Sequence, residues 1–314
     1  MTPLPNGGET GVLVVGDVMT DIVVRPAGPI ARGSDTPAEI SIHPGGSAAN
    51  LAGHLARAGI PVRFAARVGA ADLDRLRRYF EGLGIEARLA ADPVRQTGRL
   101  IALVDTDGER SFLTDRGAND GLCEADLPAG LLDGIRHVHL SGYAFTEPGP
   151  RAAAASLLET AQKCGLTTSV DPGSLAVINT VGADEFLRLT GGVTLLCPNS
   201  DELDALSYFS NGKRNTTKLF DCYPIVVVKQ SGEGASLFRV GNDPVYRPAP
   251  AVSGVLDATG AGDAFLAAFL AGWLGGAAPE AALERAVAAG SAMVATVGAA
   301  PASADGTALM AHEI

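Results

Sequence analysis

Arg136-His137-Val138-His139-Leu140, Thr167-Thr168-Ser169-Val170, Val193-Thr194-Leu195-Leu196 and Ile225-Val226-Val227-Val228-Lys229 are short runs that predict strands. Between them the pattern predicts helices over 151 to 164, 183 to 190 and 200 to 206. Strands that alternate with helices are joined by crossovers rather than hairpins, so they run parallel, and the helices cover both faces of the sheet. The fold class is α/β, with a mainly parallel central sheet.

Working outward, Val12 to Val15 is an apolar, β-branched run ended by Gly16, which predicts a central strand reached from both faces. No crossover helix follows at once. Ile22 to Arg25 and Glu39 to His43 read as strands separated by Pro26, Gly28, Pro29, Gly33 and Pro37, an inserted β-element. A helix starts at Ser47 and runs to about Ala58, closed by Gly59 and Pro61, and Phe64 to Val68 resumes the sheet. Arg99 to Asp105 and Arg110 to Thr114 flank an Asp107-Gly108 hairpin signal and join the inserted element. Ala235 to Arg239 with Val245 to Arg247 predict another hairpin, and two Ala-rich helices follow near 262 to 274 and 280 to 296. With no repeat and no long linker, residues 1–314 are expected to form one domain carrying a small β-lid from about 22–43 and 96–116.

A net charge of -11 repels a phosphate backbone or an anionic bilayer, which argues against nucleic acid and membrane surfaces as partners. The apolar run from Ala264 to Ala278 is broken by Gly272, Gly275 and Gly276 and is too short to span a membrane. Cys123, Cys164, Cys197 and Cys222 lie far apart, with neither zinc-site nor disulfide-framework spacing. Free thiols and an N-terminus without a basic start or apolar run lead to the expectation of a cytoplasmic protein.

Chemistry concentrates in Asp257-Ala258-Thr259-Gly260-Ala261-Gly262-Asp263. A turn of small residues running into an apolar helix aims several unpaired N–H groups and the positive end of the helix dipole at one spot, an anion site. Asp263 beside it either caps the helix or takes a proton from a hydroxyl while the amides stabilise a transferring phosphoryl group. No Walker loop is present, since Gly212-Lys213 is followed by Arg214, and Gly16-Asp17-Val18-Met19-Thr20-Asp21 is no dinucleotide fingerprint. Pro44-Gly45-Gly46-Ser47-Ala48-Ala49-Asn50 is a second glycine-led helix start, where Asn50 offers a donor and an acceptor to hydroxyls. Asp21 follows the first strand, where ligands of open α/β sheets collect.

Gly45-Gly46-Ser47-Ala48-Ala49-Asn50, with Ala52, Gly59 and Gly69, and the Asp257–Asp263 segment some 200 residues later resemble the paired signatures of the ribokinase-like, phosphofructokinase-B-type carbohydrate kinases. Gly108-Glu109-Arg110, Asn199-Ser200-Asp201-Glu202 and Val226 to Ala235 resemble further segments of that family. The resemblance implies transfer of the ATP γ-phosphoryl group to an alcohol of a sugar or nucleoside. It makes Asp263 the base and the backbone of Gly260, Ala261 and Gly262 the anion hole. Asp21, Gly45, Gly46, Asn50 and Tyr143 fall on substrate positions, and Asn199, Lys229, Ser231, Gly232 and Gly234 on nucleotide positions. Glu202 would organise magnesium, largely through water, while Asp257, Thr259 and Gly298 match positions that hold potassium in many relatives. Dimers formed lid to lid are common in the family, which extends the expectation to a homodimer.

Three residues or segments depart from the family pattern, the first two leaving catalysis plausible. Ala258 replaces a hydroxyl residue, Ser231 a glycine, and Ser141-Gly142-Tyr143 stands where ribokinases proper carry a glutamate facing the sugar, which disfavours ribose itself. The rival readings are a nucleoside kinase, with Tyr143 stacked on the base, and a non-catalytic sugar sensor on the same fold. Lys229 could equally be a strand-end surface charge, while for His137, His139, Arg116 and Asn119 the residues alone favour simpler roles: structural histidines and solvated loop positions.

Overall fold

Val12, Leu13, Val14 and Val15 are fully buried, and their alternation divides the molecule. The computed structural model describes residues 11–105, 110–207, 219–220, 222–252 and 259–295. Among these, β1 (Gly11–Val15) lies between β4 (Val62–Gly69) and β8 (Ile135–Ser141). Beyond β4 lies β5 (Glu86–Asp92), and beyond β8 lie β9 (Thr167–Asp171), β10 (Leu195–Leu196) and β11 (Ile225–Lys229), all parallel. In this sheet, among the described residues, only β12 (Gly234–Arg239) and β13 (Val245–Pro248), at one edge, pair antiparallel.

Val12 and Val14 share a core with α1 (Ser47–Arg57), α2 (Leu73–Gly82), α7 (Ala261–Leu274) and α8 (Pro279–Met293). Leu13 and Val15 face the opposite core, built with α3 (Pro148–Lys163), α4 (Leu175–Val181), α5 (Ala183–Leu189) and α6 (Ser200–Ser207). The expected α/β class, with helices on both faces, is the observed one.

A second sheet has the order β3 (Ala38–Gly45), β2 (Met19–Pro26), β6 (Gly98–Val104), β7 (Arg110–Asp115). Its two faces differ, because paired residues share a face and rows alternate. The row of Asp21, His43, Leu100 and Thr114 carries the carboxylate of the expected substrate site. The adjacent row, Ile22 with Ile42, Ile101 and Leu113, belongs to the other face, as does the row of Val24, Ile40 and Leu103.

The predicted elements recur within a few residues, with instructive exceptions. The strand expected over 193–196 shrinks to two residues because Thr168 and Thr194 exchange side-chain bonds with each other's backbone N–H, at 3.1 and 3.3 Å, in place of ladder bonds. Three elements are not foreseen. Helix α2 is highly charged but buries Leu76 and Phe80; β5 is a sheet edge of Ala and charged residues; α4 is a β-branched run that Ser174 caps by accepting from the Val177 N–H. The segment after β7 is tied down. Asn119 is buried, accepts from the Val18 N–H at 2.9 Å and donates to the Val18 carbonyl at 3.0 Å, so it is not the solvated loop residue expected.

That segment is also clamped to the sheet edge by charge. Buried Asp92 accepts from Arg67 at 2.9 Å and from the N–H groups of Arg95 and Val94, while Arg67 reaches Asp126 at 3.0 Å. The Arg95 and Val94 amides and the Arg67 guanidinium hold the Asp92 carboxyl well below its ordinary range against the opposing effect of burial. A depressed carboxyl stabilises the fold above its unfolded pKa and loses that contribution as pH falls through the folded value. Asp92→Ala is expected to cost about 2 kcal/mol at pH 7, since it leaves the Val94 and Arg95 amides without their acceptor and Arg67 with Asp126 alone. The cost should shrink on acidification, read as a lower urea midpoint at unchanged m-value.

Candidate active site

Two glycine-led helix starts meet over the C-terminal ends of the parallel strands. At the first, Gly46 has φ 101°, and a Cβ there would stand 2.6 Å from the Asp17 carbonyl oxygen, so only glycine fits the turn into α1. The cap comes from elsewhere in the chain: buried Asp17 accepts from the Ser47 and Ala48 N–H groups at 3.1 and 3.4 Å. At the second, Gly260 takes a left-handed φ of 75° and α7 begins at Ala261, which puts Asp263 in its first turn.

The Asp263 carboxylate accepts the Ser47 hydroxyl at 2.7 Å and the Asn50 amide at 3.2 Å. It therefore does not act as a simple cap; its acceptors are turned towards α1. Burial, reinforced by the charge of Asp171, pushes this carboxyl up from 3.8 to about 7, opposed by the bonds from Ser47 and Asn50 and by the charge of Lys229. A carboxylate with a pKa near neutrality, beside unpaired helix amides, is equipped to take a proton from a hydroxyl.

On the substrate side the expected residues converge. Asp21 is buried so closely over Gly45 that a Cβ on Gly45 would lie 2.1 Å from its carboxylate, which explains why glycine stands there. Asn50 is buried in the first turn of α1. Tyr143 lies in the turn Gly142–Phe145 after β8, its ring over Gly173, close enough for the charges of Asp17 and Asp263 to act on its hydroxyl, whose pKa burial raises. The Arg116 guanidinium sits 5.1 Å from the Tyr143 ring centroid and also pairs with Asp120 at 3.0 Å, so Arg116 is not a solvated loop residue either.

On the other side, Lys229 ends β11 and pairs with buried Asp171 at the end of β9; it is not a surface charge. Asn199 bridges to Lys229 and forms a reciprocal cap with buried Glu202: the carboxylate accepts the Asn199 N–H and side-chain amide at 2.8 and 2.9 Å, and the Asn199 oxygen accepts the Glu202 N–H at 2.9 Å. Burial and the charge of Asp171 push the Glu202 carboxyl up to about 7. Ser231 has φ 52°, the left-handed region in which glycine is at ease, which gives a physical reason for the family preference from which it departs. Gly232 follows in the same turn, and a Cβ on Gly234, with φ 117°, would meet the Arg247 carbonyl at 2.0 Å.

Thr259 lies one residue before Gly260, whereas Asp257 and Gly298, expected with it around potassium, fall outside the described residues, as do Ala258 and Gly108-Glu109. Among the described residues no three His, Cys, Asp or Glu side chains converge as a metal cluster. His137 and His139 are structural: buried on β8, they bond the hydroxyls of Thr167 and Ser169, and burial lowers both pKa values, that of His139 to about 3. Sequence reasoning missed Asp17, Ser47 and Asp171 as site residues. The available signal was position, since Asp17 follows β1 and Asp171 ends β9, both at the C-terminal side of the parallel strands.

Known proteins resemble this chain in sequence and in fold. Residues 9–305 match the sequence profile of the pfkB family carbohydrate kinases. The ATP-dependent ribose-1-phosphate kinase of Halopiger xanaduensis is 32% identical over 295 residues, covering 92% of this chain and 93% of that one. The bifunctional protein HldE of Escherichia coli O9:H4 is 28% identical over 84% of this chain, which spans about half (55%) of that protein's length. Among solved structures, ribokinase from Thermotoga maritima superposes with a TM-score of 0.76 at 27% identity, over 92% of this chain and 94% of that one. No helix among the described residues is long and apolar enough to cross a membrane.

The Asp263 environment carries a cost with a defined sign. A carboxyl whose pKa is raised by folding binds more protons folded than unfolded between pH 4 and 7, so it lowers stability as pH rises through that window. Asp263→Asn is expected to raise stability by about 4 kcal/mol at pH 8 and to leave it unchanged near pH 3, measured by urea unfolding at both values.

Proposed function

Because the chain belongs to the pfkB family of carbohydrate kinases, we propose that it moves the γ-phosphoryl group of ATP to a hydroxymethyl group of a sugar or sugar derivative. The observation that carries this reading is the bond from Ser47 to Asp263 across 216 residues of sequence, which ties the first turn of α7 to the start of α1 and supports Asp263 as proton acceptor beside the amides of Gly260, Ala261 and Gly262. The acceptor hydroxyl gives its proton to Asp263 as its oxygen bonds to the γ-phosphorus. The bond from that phosphorus to the ADP oxygen breaks, and ADP leaves with the electron pair. The three amides stabilise charge on the phosphoryl oxygens in flight. Asp21, Gly46 and Asn50 orient the remaining hydroxyls, and Asn199, Ser231, Gly232 and Gly234 line the nucleotide.

Magnesium supplies charge neutralisation on the phosphates. Glu202, whose oxygens are already bonded to Asn199, fits a role through water rather than as a direct ligand. Potassium beside Thr259 belongs to the same reading. Tyr143 carries the Arg116 guanidinium over its ring, which leaves less of that face for a nucleobase and favours a sugar over a nucleoside. The four free thiols support a reducing, cytoplasmic setting. The lid-to-lid dimer is supported by the apolar face of the second sheet, on which Ile40 and Leu113 are 61% and 58% exposed.

The test is ADP release with ribose, ribose 1-phosphate, fructose, deoxy-sugars, keto-deoxy acids and nucleosides, in potassium and in sodium chloride at matched ionic strength. We expect turnover with a sugar or sugar phosphate, ribose itself a poor substrate, a moderately higher rate in potassium, and kcat/KM falling tenfold per pH unit below about 7. Asp263→Asn should lower kcat about 100-fold or more with ATP affinity retained. Turnover confined to nucleosides would replace the sugar reading with its rival. ATP binding with no turnover on any acceptor would favour a sensor. Light scattering should give twice the chain mass, and Leu113→Glu should return it to one chain; a monomeric wild type would remove the dimer.

A further inference from the structure

Lys229 stands where the kinase reading needs a positive charge, and nothing in that reading explains the carboxylate bonded to it. Strand β11 delivers the side chain to the floor of the cleft. Its ammonium lies 3.5 Å from the position a Cβ on Gly262 would occupy, beside the amides that open α7. Its charge acts on Asp263, Glu202 and His139 alike, so it sits at the centre of the buried titratable groups. Asp171 holds it: one oxygen takes the ammonium, while the other accepts the Gly173 N–H at 3.0 Å, which fixes the carboxylate at the strand end. The neighbouring Asp171 and Glu202 charges keep Lys229 protonated. One carboxylate thus holds the ammonium, and two more, Glu202 and Asp263, lie within reach of its charge.

We propose that Lys229 binds the γ-phosphate directly, and that Asp171 is the positioning residue that holds the ammonium beside Gly262 before the triphosphate arrives. The proposal rests on the kinase reading. An ammonium has three donors, and the bond to Asp171 uses one, so a phosphate oxygen entering at Gly262 meets a charged donor already aimed at it. The same phosphate gains the α7 amides from its other side. A lysine here suits a transferring group better than a fixed bidentate clamp does, because its point charge follows the phosphorus from donor to acceptor without loss of a planar geometry. The Asp171 carboxylate then prevents the ammonium from pairing with Asp263, which must stay free to accept a proton.

The discriminating measurement is calorimetric binding of a non-hydrolysable ATP analogue and of ADP, each with magnesium, to the full chain without acceptor. Wild type should bind both. Lys229→Met should lose about 10- to 100-fold in analogue affinity, as expected for one charge-assisted hydrogen bond, with ADP affinity changed less than about threefold. Lys229→Arg should recover part of the analogue affinity. Asp171→Asn should retain the preference for the triphosphate yet lower kcat, since the charge remains but its aim is lost. Equal losses of ATP analogue and ADP in Lys229→Met and Asp171→Asn, accompanied by a lower Tm, would make the pair a structural brace and overturn the proposal. Wild type that binds neither nucleotide would overturn the kinase reading itself; wild type that binds both and transfers to a sugar leaves that reading standing whatever the variants do.

Discussion

The bond between Ser47 and Asp263 is the constraint around which the active site is organised, because each half of it is incomplete alone. Helix α1 has no cap of its own and borrows one from Asp17 at the end of β1. Helix α7 opens on a left-handed glycine, and its acidic first-turn residue spends its oxygens on α1. Both helices pack on the same face of the sheet, against Val12 and Val14, so the core fixes the separation of their N-termini. On the proposed reading, substrate position, base and anion site then share one rigid reference, which suits catalysis that depends on sub-ångström alignment.

Much of this was legible in the sequence because it is written in local patterns. The alternation of apolar runs and helical stretches from 136 to 229 has only one economical solution, and the glycines at 45, 46 and 260 mark turns that a side chain would block. Long-range polar partnerships were not legible. Nothing local reveals that Asp17 caps a helix thirty residues on, or that Asp171 meets Lys229 across the sheet. Arg116 and Asn119 read as solvated because they follow a hairpin, yet the chain folds back so that one covers an aromatic ring and the other replaces backbone partners for Val18. Helix α4 was missed because its β-branched residues suit a strand, and burial of Val177, Ile178 and Val181 outweighs that preference.

The cleft is unusual in its charge arithmetic. Asp171 bonds Lys229, Glu202 and Asp263 feel its charge, and burial pushes these last two carboxyls towards neutrality. Such crowding opposes folding and is retained where chemistry needs it. The expenditure is local. The opposite face of the sheet is an ordinary apolar core, and the Arg67, Asp92 and Asp126 cluster secures the edge far from the reacting groups.

The 216-residue separation of Ser47 and Asp263 also sets an order of events during synthesis. At about 5–20 residues per second, roughly 10–40 s pass between the emergence of one partner and the other. Over that interval the ribosome displays the first half of the cleft, with Ser47 and Asn50 facing water and the Val12 and Val14 side of the sheet lacking α7 and α8. A nascent chain in that state exposes apolar surface of the kind chaperones bind. On the proposed reading, competence for chemistry therefore waits for α7, and a chain that ends before it has no Asp263 to accept a proton.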